Sequence, residues 1–211
     1  MLEIIIAFWP IWLIFLLFVL FVLLRPKLFG YMGESVVRYK LSKLDPDKYK
    51  VINNFLAVVD GKSTEIDHIV VSNYGVYVIE TKYYKGLITG HEKSKHWTQH
   101  INRYKNKFYN PIRQNYGHVM ALKTIFKKYP RIPFIPIVVF TGEAKIRVKT
   151  DSAIVIESKD LLQTIKNYNK PILKDKGVHF VYDKLASMKS NDKELRKEHI
   201  AKIREKKKFN R

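Results

Sequence analysis

The stretch Thr64-Glu65-Ile66-Asp67-His68-Ile69-Val70-Val71-Ser72-Asn73-Tyr74-Gly75-Val76-Tyr77-Val78-Ile79-Glu80-Thr81-Lys82 decides the fold. Two β-branched runs, Glu65 to Val71 and Val76 to Lys82, flank a cluster of turn-forming residues. This predicts two strands joined by Ser72 to Gly75. A four-residue loop with Gly75 left-handed sets Val71 opposite Val76, Ile69 opposite Val78 and Asp67 opposite Glu80, whereas a three-residue loop pairs His68 with Glu80. Alternation then places Lys82 on the face of Glu80 and His68 on the other, with the Thr81 carbonyl at the edge. Two carboxylates and a carbonyl suit Mg²⁺ or Mn²⁺, hard cations that take oxygen ligands and keep several waters. Without an ion, the facing carboxylates of Asp67 and Glu80 repel each other. Lys82 is placed to hold or help deprotonate a water beside a phosphodiester.

Working outward, Gly33 to Leu44 reads as a helix with Val37, Leu41 and Leu44 on one stripe. Glu34 shares that stripe, and a carboxylate on a buried face needs a partner. Tyr49 to Val59 and Gly86 to His91 read as strands, Pro111 to Tyr129 as a helix with proline at its first position, and Ile135 to Phe140 as a buried strand. Ala153 to Ile156 and Val178 to Tyr182 read as further strands, around a helix from Ser158 to Tyr168 capped by Ser158. Strands on both sides of a helix make the class α/β.

The chain has 211 residues, a formal net charge of +20 and no cysteine, which excludes a disulfide scaffold, a zinc ribbon, a thiol nucleophile and an iron–sulfur cluster. His96 and His100 have helical ligand spacing but lack a third ligand, and Gly61-Lys62-Ser63-Thr64 lacks the earlier glycine of a phosphate loop. Leu2 to Leu24 is apolar apart from Glu3 and Pro10 and is long enough for a hydrocarbon core of roughly 30 Å. Arg25 and Lys27 follow it, so residues 1–25 are expected to anchor the chain in the cytoplasmic (inner) membrane of a bacterium. The N-terminus is then outside and the remainder cytosolic. Residues 191–211 are mostly charged and read as a basic helix or tail.

Residues 83 to 110 hold Lys85, Lys93, Lys95, Arg103, Lys105 and Lys107 against the single acid Glu92, with Trp97 and several other rings interleaved. Cations among rings, extended by Arg113, form a candidate nucleic-acid surface, and anionic lipid head groups are the competing partner.

Gly33-Glu34, Thr64 to His68, Gly75 to Lys82, Gly86, Trp97 and Asn110-Pro111-Ile112-Arg113-Gln114-Asn115 together resemble the nuclease-related domain family, NERD, from about Tyr31 to Phe140. That family is similar to the PD-(D/E)XK nucleases. The resemblance implies a restriction-endonuclease-like fold, a mixed central sheet flanked by helices, over residues 31–145. Residues 146–190 are then a C-terminal extension. It also implies Asp67 and Glu80 as metal ligands, Lys82 as the catalytic lysine, Glu34 as an accessory acid and Gln114 as a supporting polar group. Ile66 stands where the PD motif has proline, and His118 where related nucleases often have tyrosine. The expected function is a membrane-anchored, Mg²⁺- or Mn²⁺-dependent nuclease acting on DNA or RNA. The alternative is a non-catalytic nucleic-acid or anionic-lipid binding module of the same fold.

Overall fold

A computed structural model of the chain describes residues 9–190 and residue 201. The first eight residues of the expected anchor and all but Ala201 of the expected basic tail lie outside it. The elements in order are α1 (Trp9–Leu41), β1 (Tyr49–Val59), β2 (Lys62–Ser72), β3 (Gly75–Tyr83), β4 (Gly86–His91), β5 (His96–Ile101), β6 (Tyr104–Tyr109), α2 (Pro111–Ile125), β7 (Phe134–Thr141), β8 (Ala144–Lys149), β9 (Ile154–Glu157), α3 (Leu161–Lys166) and α4 (Asp175–Ser190).

The single central sheet expected from the sequence is two mixed sheets, ordered β1-β2-β3-β7-β9 and β6-β5-β4-β8. The predicted hairpin register is present, with Val71 opposite Val76 and Ile69 opposite Val78. Its turn is tighter than expected, because Ser72 pairs with Gly75 and only Asn73 and Tyr74 lie between them. Gly75 has a φ of +143°, and a side chain there would press on Pro133 and Ile135. β3 runs parallel to β7 as far as Tyr83 and Thr141, and β4 runs parallel to β8 from Gly86 and Ala144. The same two chain segments therefore pass from the first sheet into the second. The bend between them uses positive φ at Gly86, Gly142 and Glu143, conformations that glycine adopts without steric cost.

Three apolar clusters hold these layers together. α2 and α4 pack Val119, Leu122, Val181 and Leu185 onto one face of the first sheet. α1 and α3 pack Val37, Leu41, Leu161 and Ile165 onto the other. Trp97, Ile88 and Phe108 of the second sheet close over Val138 and Phe140. Val178 to Tyr182, expected as a strand, lies inside α4, since Val178, Val181 and Leu185 recur at helical spacing on one buried stripe. Ser158 opens a 3-10 turn ahead of α3 and makes no side-chain cap.

The expected helix from Gly33 is not separate. α1 continues back through Arg25 to Trp9, bending by 49° between Trp9–Arg25 and Lys27–Leu41. Pro26 lies at the break, where its missing amide interrupts the hydrogen-bond ladder. Among the described residues no single helix is long and apolar enough to cross a membrane, although this bent pair together meets that length and composition. From Trp9 to Arg25 every residue is exposed, so nothing in the described chain covers that apolar surface.

Two substitutions test this packing. A methyl group on Gly90 of β4 meets the Trp97 ring, itself wholly buried, so Gly90→Ala should destabilise the domain by about 1–3 kcal/mol in urea melts. Glu92 accepts hydrogen bonds from the amides of Asp151 (2.7 Å) and Ser152 (3.1 Å) and from the Thr150 hydroxyl (3.3 Å). Contacts with the Ser152 side chain, then with these amides, hold its carboxyl down at about 2. A depressed carboxyl contributes stability above its unfolded value and loses it as the pH falls toward the folded one. The Tm gap between wild type and Glu92→Gln should thus be full at pH 7 and close between about pH 4.5 and 2.

Candidate active site

The site lies where β2 and β3 part. Their ladder ends at His68 and Ile79, and one residue further on the Asp67 carboxylate accepts the Thr81 amide at 2.7 Å, replacing the missing strand contact. Alternation slips at this point. Ile66 and Ile69, three residues apart, enter the same core, as do Ile52 and Phe55 on β1, where Asn54 between them has a φ of 52°. His68 turns away from Asp67 as expected, with Nδ1 2.7 Å from Asn53 Oδ1, and burial followed by the Arg38 charge lowers its pKa to about 4.

Glu80 is the centre of the site and only 1% exposed. Lys82 Nζ lies 2.6 Å from its Oε1 and His118 Nε2 lies 2.9 Å from its Oε2. His118 Nδ1 is in turn 2.9 Å from the Thr64 hydroxyl, and Lys82 donates to Gln114 Oε1 at 3.0 Å. One assignment of protons satisfies the chain: Thr64 donates to Nδ1, and Nε2–H donates to Glu80. Burial alone raises the Glu80 carboxyl, but its bonds to His118 and Lys82 outweigh burial and hold it below the usual range. Lys82 is likewise raised, because the Glu80 contact exceeds the effect of its own burial.

Asp67 has no such compensation. Burial, then the Glu80 charge, pushes its carboxyl well above the ordinary value, and only the Thr81 amide and Lys82 oppose them. Glu34 is raised too, by burial and then by Glu65, with Glu80 adding to the effect. Glu34, Asp67, Glu80, Thr81, Lys82 and Gln114 line one cleft of about 840 Å³. Glu34, Asp67 and Gln114 also line an adjoining cleft of about 490 Å³, together with Thr64 and His118.

α2 carries two of these side chains, and its seat is built by its own sequence. Asn110 caps it, accepting the Ile112 amide at 2.9 Å and donating to the Glu92 and Ser94 carbonyls at 2.7 Å each, ahead of Pro111 at the first helical position. Asn115, fully buried, donates to the Val78 and Ile137 carbonyls of β3 and β7 at 2.9 and 3.0 Å. Gln114 and His118 are thereby held over Lys82 and Glu80. On the opposite side, Gly33 lets α1 approach Thr141 and Tyr83 closely, which brings Glu34 to the cleft.

The structure thus brings together all the sequence-predicted catalytic and metal residues. It adds Thr64 and His118, of which His118 was visible one helical turn beyond Gln114 on the same face. The candidate nucleic-acid residues scatter more widely. Lys85 borders the larger cleft. Lys93 and Lys95 are exposed beside the β4–β5 turn, Arg113 reaches the Lys93 carbonyl, and Arg103, Lys105 and Lys107 are exposed on and beside β6. Trp97 is 0% exposed and presents no face to a base, because its ring stacks with Phe140 inside the domain.

The nuclease-related domain family model matches residues 29–141, and the chain belongs to that family. An uncharacterised protein of Bacillus anthracis is 36% identical over 179 residues, covering 83% of this chain and 84% of its own length. No solved structure gives a significant match.

The two contacts that flank the Glu80–Lys82 pair, His118 on the carboxylate and Gln114 on the lysine, differ in burial, which a pair of variants should reveal. His118→Ala strands a buried carboxylate oxygen and should cost about 1–3 kcal/mol of stability, whereas Gln114→Ala, at the wetter end of the chain, should cost under about 1 kcal/mol. Equal losses in urea titrations would contradict this order.

Proposed function

We propose that this chain is a membrane-anchored, Mg²⁺- or Mn²⁺-dependent nuclease that hydrolyses phosphodiester bonds of DNA or RNA on the cytosolic side of the membrane. The supporting observation is the shared cleft of Asp67, Glu80 and Lys82, with Gln114 on the lysine. Membership of a nuclease-related family supports the reaction class.

The donor chemistry fits a hard cation. The cleft holds three carboxylates, and the charges of Glu80 and Glu34 both raise Asp67. Among the described residues no three His, Asp or Glu side chains form a closed metal cage. The expected set is instead two carboxylates, Asp67 and Glu80, with the Thr81 carbonyl, leaving the other positions to water. Such an ion, when bound, polarises the phosphoryl oxygen and lowers the pKa of a bound water. Lys82, turning from Glu80 toward the cleft, holds the attacking water or neutralises charge developing on the phosphate. Gln114 orients the lysine, His118 keeps Glu80 in place from behind, and Glu34, on the same cleft, is the accessory acid.

The anchor belongs to the same reading. The exposed apolar half of α1 ends at Arg25, and Arg25 and Phe29 border the larger cleft. The active site therefore works within a few helical turns of the membrane surface. The 2.6 Å Lys82–Glu80 pair favours one rival reading, a self-neutralised fold that binds nucleic acid or anionic lipid without cleaving.

Cleavage assays on the full-length chain with Mg²⁺, Mn²⁺ or chelator decide between them. Asp67→Ala and Glu80→Ala should abolish metal-dependent cleavage, Lys82→Ala should lower its rate by at least about 100-fold, and binding measured in chelator should survive all three. Unchanged cleavage in either carboxylate variant rejects this active site. A wild type inactive with both metals on all nucleic acids favours the binding module.

A further inference from the structure

The second sheet has two unlike faces. Its inner face carries Ile88, Trp97, Phe108 and Ile146 into the core. On its outer face, Lys145, Arg147 and Lys149 of β8 are all exposed, as are Lys105 and Lys107 of β6. The four strands contain no Asp or Glu, and among the described residues none of these five cations pairs with a carboxylate.

The register arranges these charges. Arg147 lies beside Thr89, Thr89 beside Thr98, and Thr98 beside Lys107, while Lys145, Leu87, His100 and Lys105 make the next row. β6 and β8 are the two margins of the sheet, so the cations form two rails with Thr89, Thr98, Leu87 and His100 between them. Three interstrand spacings separate the rails by about 14 Å, and alternate residues repeat along each rail at about 7 Å. A B-form major groove is about 12 Å wide between its two phosphate strands.

We infer that the outer face of the second sheet, with Lys145, Arg147, Lys149, Lys105 and Lys107 as its contacts, docks the phosphate backbone of a nucleic-acid duplex. The rails match two phosphate strands bordering one groove. Trp97 and Phe108 are buried and Tyr84 stacks on Phe108 at 4.3 Å, while the exposed Tyr104 and Tyr109 sit at the two ends of β6, so no Phe, Tyr or Trp faces outward between the rails. A single strand recognised by base stacking needs those rings outside, whereas a duplex needs only fixed cations. β4 and β5 also lead to the acidic cleft, which Lys85, Gln99 and Ile101 border. The inference deepens the nuclease reading, on which it rests for what happens to the docked duplex but not for the docking.

The test uses the full-length chain in non-ionic detergent, with chelator present so that no cleavage intervenes. Anisotropy of labelled duplex DNA, duplex RNA and single strands is followed across a salt series. The triple variant Lys145→Gln, Arg147→Gln, Lys149→Gln should lose at least tenfold in duplex affinity. Its slope of log K against log salt should shrink by nearly 3, at about 0.9 per phosphate contact. Arg147→Lys alone should keep the wild-type slope. Lys170→Gln, Lys174→Gln, Lys176→Gln, the same charge change at exposed positions off this sheet, should shift the slope by less than about 1. Unchanged duplex binding in the β8 variant overturns the inference, as does an equal loss in the control or a loss confined to vesicles containing phosphatidylserine. A wild type that binds duplex through β8 but never cleaves rejects the nuclease reading and retains this surface. Active cleavage with duplex binding indifferent to β8 does the reverse.

Discussion

Glu80 is a carboxylate on a central strand with almost no access to water, and the site is arranged around the requirement that such a charge be paired. Its two oxygens are met from opposite directions, by Lys82 from its own strand and by His118 from α2. The second contact depends on α2 being seated at the correct height, which Asn110 and Asn115 secure at either side of Gln114. The polar network is thus a chain of dependent placements running from the β4–β5 turn, through the α2 cap, to the carboxylate. The balance it leaves is uneven. Glu80 is satisfied within the protein, and the unfavourable charge falls on Asp67, whose carboxyl is buried with one amide as its hydrogen-bonding support. The cleft thus holds one committed and one uncommitted carboxylate, the asymmetry on which the proposed cation site draws.

Much of this was legible in the sequence, and for identifiable reasons. The β2–β3 pairing followed from period-2 alternation and a compact turn, and the register came out correctly although the turn is two residues shorter than expected, because shortening it by one residue at each side leaves every pair opposed. The grouping of Glu34, Asp67, Glu80, Lys82 and Gln114 rested on resemblance, and one cleft gathers all five. The second sheet was not legible. β5 and β6 hide their strand character in a Trp97 and a Phe108 among polar residues, a pattern that also reads as cations with interleaved rings. Only the tertiary contact with Val138 and Phe140 shows those rings to be core. The error at Val178 to Tyr182 has the opposite origin, since a short apolar window looked like a strand until Leu185 and the later turns extended its period to that of a helix.

The N-terminal helix shows where local and global demands separate. Its C-terminal half is amphipathic in the ordinary sense, with Val37 and Leu41 wholly buried against the sheet. Its N-terminal half has apolar residues on every side, and each residue from Trp9 to Arg25 is exposed among the described residues. A large exposed apolar surface of this kind is what the proposed membrane anchor would cover. The bend at Pro26 falls where the sequence changes from uniformly apolar to patterned, so the two halves of the helix point in different directions.

The two sheets are one mechanical unit because β3 with β7, and β4 with β8, are successive stretches of the same parallel pair. Glu80 and Lys82 occupy the last turns of that pair before the bend, and Lys145, Arg147 and Lys149 the first stretch after it. The two are linked through paired strands whose covalent crossings, β3 to β4 and β7 to β8, are bordered by positive φ at Gly86 and Gly142. At Gly86 a side chain collides with the His100 carbonyl, so the backbone approach that joins β4 to β5 admits only glycine without rearrangement. The angle between the acidic cleft and the basic face is consequently set by backbone geometry rather than by mobile side chains. An acidic cleft by itself repels a polyanion. The cations stand on a separate sheet joined to the cleft through both crossings, so in the proposed function attraction of the backbone is separated from the chemistry performed on it.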